Sequence, residues 1–385
     1  MNIDVIQKQL CTGCGACANA CLKNVISMTE DSDGFCYPEV DSGRCTSCGA
    51  CVNACPLNNP RKSRIPIEVK AVLAKDLGLR MRCASGGVFS LLAVEFVRLG
   101  GVVFGVVWDE TEKLARFVEA QTMDELLPLQ DSKYVQAVPH DIYRKVRERL
   151  VEGKRVLFSG TPCQVYGLTT FLHEIPKTLT TVEVICMGVP SVKSLSKVHP
   201  LAFADKEDRL TVEFRNKYRT GWLGSCIANE PNIVVRSVRH GERKSKLFYR
   251  MMSAHVCQRM SCYNCIARGL KSGANLTIGD FWNVGKFYPE MDDDKGTSLV
   301  MINDEKGGAL FELIQGLVVS RNSDYETALK INRQVVEQLS CPPGRVTFGS
   351  MMRSGESIKK MADILCPSAP IWRRALSKMK RMVLR

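Results

Sequence analysis

The sequence has no basic start followed by an apolar run. It begins MNIDVIQKQL, so no signal peptide is read and a cytoplasmic chain is expected. It also lacks an unbroken apolar run long enough to span a bilayer. The most apolar window, VFSLLAVEFVRLGGVVFGVVW at 88–108, is interrupted by Glu95, Arg98 and a Gly-Gly pair, and it reads as a helix followed by a strand. No stretch has the composition of bulk disorder, since hydrophobic residues make up 45% of the chain and charged residues 24%. These absences argue against secreted, membrane-spanning and disordered classes. At 385 residues there is room for two or three domains with a proper core.

What the chain has in quantity is cysteine, 18 residues of it. Without a secretion signal, clustered thiols point to metal or redox chemistry and away from a disulfide scaffold. The net charge of +13 is uneven. Residues 1–60 hold six acids and three bases, net −3, which leaves +16 to the remainder. A basic body raises nucleic acid or membrane as partners, yet it contains no recognisable nucleic-acid module, and none is expected to bind.

Two runs repeat each other. CTGCGACANAC and CTSCGACVNAC place Cys11, Cys14, Cys17, Cys21 and Cys45, Cys48, Cys51, Cys55 at one spacing, with nine of eleven residues identical. Zinc sites favour paired C-x2-C units, so three thiols at successive two-residue gaps speak for iron–sulfur. Residues 1–60 resemble the bacterial two-cluster ferredoxins, with Pro56 after the second run and Leu22 where the first would usually have proline. The resemblance implies that Cys11, Cys14, Cys17 and Cys55 hold one 4Fe–4S cluster, and that Cys45, Cys48, Cys51 and Cys21 hold the other. Cys36 fits neither run and is read as a buried spectator.

PLNNPRKSRIP at 56–66 marks a boundary. Beyond it strands are predicted at 69–75, 101–108, 154–160 and 180–188, and helices at 85–99, 142–153 and 163–174. Buried strands are expected again within 274–282 and 296–304, and an antiparallel insertion within 208–250. The expected fold is an α+β ferredoxin-like dicluster domain (1–60), an α/β domain with a mixed sheet and an antiparallel insertion (67–340), and a helical C-terminal tail (341–385).

Three stretches of the body carry chemistry. In CQRMSCYNC, Cys257, Cys262 and Cys265 are dense enough to ligate metal, with Cys163 and Cys186 the best donors of a fourth thiol, each following a predicted strand. Zinc completed by His255 and three unrelated buried thiols are the alternatives. In SGTPCQ, Cys163 opens a helix, where a lowered thiol pKa is expected; nucleophile, ligand and phosphate cradle all suit that position. In ASGGVFS, Gly86 and Gly87 precede a helix and would let amides approach an anion.

RCASGGVFS, DSKYVQA, LFSGTPCQVYGL, VICMGVPS, RNKYRTGW and SCYNC followed by TIGDFW occur in an order that resembles the beta subunit family of the coenzyme F420-reducing hydrogenases and dehydrogenases. The resemblance implies FAD and a third 4Fe–4S cluster, with Ser85, Gly86 and Gly87 facing the flavin or its pyrophosphate. It makes Ser132, Lys133 and Tyr134 a second contacting loop, and has Asp280, Phe281 and Trp282 close the site. Core packing for the two aromatics and a solvated charge for Lys133 are the plain readings beside it. The role of Cys83 stays open.

The expected function is an iron–sulfur flavoprotein oxidoreductase. It would relay electrons from a one-electron donor protein through clusters and FAD to a small two-electron acceptor, either a deazaflavin-type coenzyme or a substrate linked to surface polysaccharide synthesis. The alternative is a non-catalytic electron-transfer subunit docked on a partner enzyme. In PIWRRALSKMKRMVLR at 370–385, Trp372, Leu376, Met379 and Val383 recur at helical spacing opposite Arg374, Lys378 and Arg381. That pattern fits peripheral contact with an anionic membrane face, or a solvated end helix.

Overall fold

The computed structural model describes residues 1–226 and 233–367, so the basic stretch at 370–385 lies outside the described residues. Within the N-terminal module the chain turns at two glycines, Gly15 and Gly49, with left-handed φ of 77° and 81°. A side chain would be strained there, so the repeated glycine is a backbone requirement. Each glycine opens a short helix, Ala16–Ala20 and Ala50–Asn53. Between them, strands β1 (Ile26–Glu30) and β2 (Cys36–Val40) pair antiparallel, with Ile26 opposite Val40 and Glu30 opposite Cys36. The module's own apolar cluster has only Ile3, Cys17 and Cys51 as buried members. Hydrophobic burial alone is too thin to hold it.

The body is built on strands β3 (Glu68–Ala74), β4 (Val102–Asp109), β5 (Leu114–Ala120), β6 (Val156–Gly160), β7 (Leu179–Val184), β8 (Leu210–Glu213), β9 (Ile233–Ser237), β10 (Gly241–Ser245), β11 (Leu276–Asp280), β12 (Ser298–Ile302) and β13 (Val318–Ser323). Eight of them form one mixed sheet in the order β13-β3-β12-β11-β7-β6-β4-β5. The inner four, β11, β7, β6 and β4, are parallel; the strands outside them on both sides run antiparallel to their neighbours. Side chains of the central strands alternate between two covered faces. Phe104, Val156 and Phe158 pack with Val146, Val165 and Leu168 of the helices Ile142–Val151 and Pro162–Phe171. Val103, Leu157 and Val300 pack with Leu91, Leu92 and Phe96 of the helix Val88–Arg98 on the other side. The predicted alternation of strands and helices over 69–188 matches this sheet. Sequence patterns did not reveal β5 and β13, the two edge strands. The remaining strands form a separate antiparallel sheet, β10-β9-β8.

The N-terminal module is seated on the body by specific contacts. The Arg144 guanidinium donates to the carbonyls of Ala18, Asn19 and Cys21 at 3.0, 2.7 and 2.6 Å, satisfying the free end of the helix Ala16–Ala20. A Cβ on Gly15 would stand 2.5 Å from Pro139 Cγ, so the glycine also permits close docking. The boundary segment at 56–66 is strapped down: Arg61 donates to Thr169 Oγ1 and the Ser272 carbonyl and stacks over Tyr166 at 4.5 Å. Part of the expected C-terminal tail is integrated too. Helices Gly344–Arg353 and Ile358–Leu365 bury Phe348, Met352 and Met361 against Met251 and Val256.

Candidate functional site

Cys11, Cys14, Cys17 and Cys55 line one cavity of about 400 Å³ in the N-terminal module. Burial pushes the Cys14 thiol up to about 12, and Cys55 and Cys11 press the same way. Burial likewise raises Cys17, with Cys14, Cys11 and Cys55 adding to it. The last thiol of the second run therefore sits with the first three of the first. In the other set, burial raises Cys51, and Cys21 adds to it. Cys45 is half-buried and Cys48 exposed. The Cys48 thiol is lowered, chiefly by the backbone N–H of Ala50. Cys36 is only half-buried, and its carbonyl accepts from Arg259 Nη2 at 3.0 Å.

The body gathers its thiols at the carboxyl ends of the parallel strands, where loops of an open α/β sheet converge. β6 ends at Gly160, and Thr161 and Pro162 start a helix that carries Cys163 in its first turn. β7 ends at Val184, two residues before Cys186. The segment after Cys186 then runs alongside the third stretch: Pro190 bridges Gln258, and Arg259 N–H donates to the Val189 carbonyl at 3.0 Å. Gly188 has a left-handed φ of 87°, and a Cβ there would stand 2.7 Å from Gln258 Cγ and 3.2 Å from the Cys262 Cβ, so glycine eases that approach. The outcome is one cavity of about 40 Å³ with Cys163, Cys186, Cys262 and Cys265 in its wall, space for more than one water-sized sphere.

Two expectations fail at this cavity. Cys257 lies outside its wall; it is fully buried in an apolar cluster with Cys366, because its side chain faces the C-terminal helices. The Cys163 thiol is not lowered by its helix: burial pushes it well up, and Cys265 and Cys186 add to the effect against the Thr161 hydroxyl. Both Cys163 and Cys186 join Cys262 and Cys265, where the sequence had asked for one donor. His255 does not line the cavity; its Nδ1 stands 3.3 Å from Gln258 Nε2. Among the described residues, no three His, Cys, Asp or Glu side chains converge to hold a lone metal ion. Burial raises the thiols of Cys163, Cys186 and Cys262 in this wall, and a polynuclear positive centre is the chemistry that would draw off their protons. The donor set fits a cubane on both counts.

The two cavities share a wall. Thr12 lines both, and Ile266, beside Cys265, lines the N-terminal one. Arg259 Nε donates to the Cys11 carbonyl at 2.7 Å, Nη1 to Gln136 Oε1 at 3.1 Å, and the guanidinium stacks over Tyr37 at 4.0 Å. On the other side, a Cβ on Gly167 would lie 2.9 Å from Cys14 Sγ, so the helix bearing Cys163 touches Cys14 one turn further on.

The glycine turn lies along the same sheet. Gly86 N–H already donates to Ser298 Oγ at 3.0 Å, and a Cβ there would meet the Val72 carbonyl at 2.5 Å. Gly86 therefore serves close packing, and its amide does not face an anion. Gly87, at φ 88°, starts the helix Val88–Arg98. Ser85 Oγ donates to the Thr297 carbonyl. Around the turn stand cations that sequence reasoning missed, although two of them lie in the stretch RNKYRTGW. Lys217, only 3% exposed, donates to the carbonyls of Arg80, Ser85 and Lys295 at 2.5, 2.9 and 2.8 Å. Burial lowers its pKa to about 8, with Cys83 pulling back. Arg215 donates to the Ala84 carbonyl at 2.6 Å and pairs with Asp280 at 3.2 Å. Arg80 pairs with Asp293. Trp222 donates to Asp280 and packs on Trp282 at 5.1 Å. Phe281, fully buried among Val69, Leu299 and Met301, is core. Lys133 donates to the carbonyls of Pro128 and Asp131, next to Ser132, and closes its own loop. Burial lowers it to about 8, against Asp131. Tyr134 meets Phe214 edge-on, and Cys83 Sγ lies 3.0 Å from Ser90 Oγ.

The family model for the C-terminal part of the coenzyme F420 hydrogenase/dehydrogenase beta subunit matches residues 153–324, which contain all four thiols of the body cavity. The 4Fe-4S dicluster domain model matches residues 10–59. Over 153–324 the chain is thus similar to this beta subunit family, and a dicluster domain stands in front of that match. A chain of the xenon-derivatized F420-reducing NiFe hydrogenase complex from Methanosarcina barkeri is similar at 17% identity, covering 72% of this chain and 90% of that one, with a TM-score of 0.48. No curated protein matches. Among the described residues no helix is long and apolar enough to cross a membrane.

Proposed function

We propose that the chain is an iron–sulfur flavoprotein oxidoreductase that passes single electrons through three 4Fe–4S clusters to FAD and on to a small two-electron acceptor. The observation that carries this reading is the four-thiol cavity at the ends of β6 and β7, walled by the Thr12 that also lines the N-terminal thiol cavity. The relay begins at the exposed set around Cys48, runs to the set of Cys11, Cys14, Cys17 and Cys55, and then reaches the body set. A one-electron donor protein would meet the Cys48 face.

FAD supplies the exchange between one- and two-electron traffic. On this reading the chain holds it beside the turn at 85–87, on the strand end next to Cys186, since β11 pairs with β7. Lys217 ties three carbonyls of that turn and its neighbours together, and Asp280, gripped by Arg215 and Trp222, fixes the edge of the site. A deazaflavin-type coenzyme, as the family name suggests, or a polysaccharide-linked substrate is the acceptor.

Anaerobic purification followed by iron, sulfide and flavin analysis tests the proposal. About twelve irons and one FAD per chain are expected, four irons to each cubane. A folded, colourless preparation lacking both would overturn it.

A further inference from the structure

Arg268 is 8% exposed and lines the four-thiol cavity. Its Nη1 donates to the Cys186 carbonyl at 2.8 Å and to the Gln334 carbonyl. Its Nε–H has no hydrogen-bond partner among the described residues, and the guanidinium makes no ion pair with any of them. The acid in the same wall, Glu183, turns its oxygens to the hydroxyls of Ser272 and Thr277. A buried cation with an unused donor is costly to keep unless something anionic meets it. The apolar remainder of the wall, including Ile185, Val189 and Leu270, offers nothing to do so.

We propose that the Arg268 Nε–H donates to the anionic centre held by Cys163, Cys186, Cys262 and Cys265, and thereby raises its reduction potential above that of the N-terminal centres. The proposal rests on the reading that these four thiols hold a cluster. Reduction adds one negative charge, so a fixed positive charge and an aimed donor favour the reduced form. By this route Arg268 makes transfer from the N-terminal module into the body downhill. It is a positioning and tuning residue, not a ligand.

The test is a redox titration of the full-length protein, handled anaerobically and followed by electron paramagnetic resonance, on wild type, Arg268→Gln and Arg268→Lys. With iron held at about twelve per chain, Arg268→Gln is expected to lower the midpoint of the body centre and leave the two N-terminal midpoints in place. Arg268→Lys keeps the charge without the Nε–H and should fall between Gln and wild type. An unchanged midpoint in Arg268→Gln with full iron overturns the proposal. If the Gln variant loses iron because its two carbonyl partners are released, the Lys variant decides, and a wild-type midpoint there overturns the proposal. A wild-type protein with about eight irons would overturn the cluster reading itself, and the iron count separates that outcome from the others.

Discussion

The N-terminal module draws its eight thiols from two runs of eleven residues, whereas the body collects four from three segments spread between Cys163 and Cys265. In the first case the thiols are the core: Cys17 and Cys51 are two of three buried residues in the module's apolar cluster. In the second they sit on a finished scaffold, at the ends of strands whose side chains are already buried on both faces. The difference separates two ways of stabilising a metal site. One fold depends on its ligand; the other preorganises a cavity by packing and brings the ligands to it.

The largest expected effect breaks the comparison outright. Anaerobic chelation of iron should unfold residues 1–60 while the eight-stranded sheet survives. Hydrogen exchange reads this directly: amides of β1 and β2 should lose protection while those of β6 and β7 keep it. Loss of both together would mean that the body too depends on metal.

Next in size is Lys217→Met, which strands the carbonyls of Arg80, Ser85 and Lys295 in a buried place. A loss of about 3 kcal/mol is expected from unsatisfied acceptors. Flavin content should fall, and the N-terminal thiol centres should be untouched. Equal loss of iron and flavin would show that the turn at 85–87 and the thiol cavities are not separable.

A smaller effect sharpens the docking between the two regions. Gly167→Ala puts a methyl 2.9 Å from Cys14 Sγ and 3.0 Å from Tyr143 Oη. Overpacking there should cost about 1–3 kcal/mol in thermal melting, with the N-terminal module loosened from the helix. A wild-type melting temperature would mean that the two surfaces are not in contact.

The smallest is a pH dependence. Lys217 has its pKa lowered by burial to about 8 from 10.5. Between those values the unfolded chain holds a proton that the folded one has released, so this group alone makes the fold more stable as pH rises. The neutral amine, however, has two N–H groups for three carbonyls. Flavin retention, measured by gel filtration, should therefore weaken as pH rises through about 8, without a matching fall in melting temperature on this account. Constant retention from pH 7 to 10 would remove Lys217 from the flavin site.

Local spacing made the N-terminal thiols readable, because each run carries its glycine turn and three closely spaced thiols within eleven residues, while Cys55 crosses to the first set. The alternation of strands and helices across 69–188 was also legible, since period-two and period-3.6 patterns report which faces are buried. Edge strand β13 escaped because exposed strand faces blur that pattern, with Val319, Ser320, Arg321 and Asn322 all exposed; β5 keeps a largely alternating burial of Ala115, Phe117 and Ala120 and was passed over all the same. Cys257 was misplaced for a related reason. Spacing puts it near Cys262 and Cys265, but only the fold decides which way a side chain turns, and this one turns to Cys366. Lys217 and Arg215 lie inside a recognised motif yet were passed over, since a buried cation looks like a surface one until its carbonyl partners are known.

Sequence alone was enough to say that this chain carries paired runs of iron-binding thiols ahead of an α/β body, because each run and each strand or helix pattern is written within about a dozen consecutive residues. Which thiols share a cavity in the body, that Thr12 stands between that cavity and the next, and that Arg268 is buried there with an unused donor depend on contacts between residues as far apart as Thr12 and Arg268. Such contacts follow from sheet order and loop packing, which no local pattern encodes.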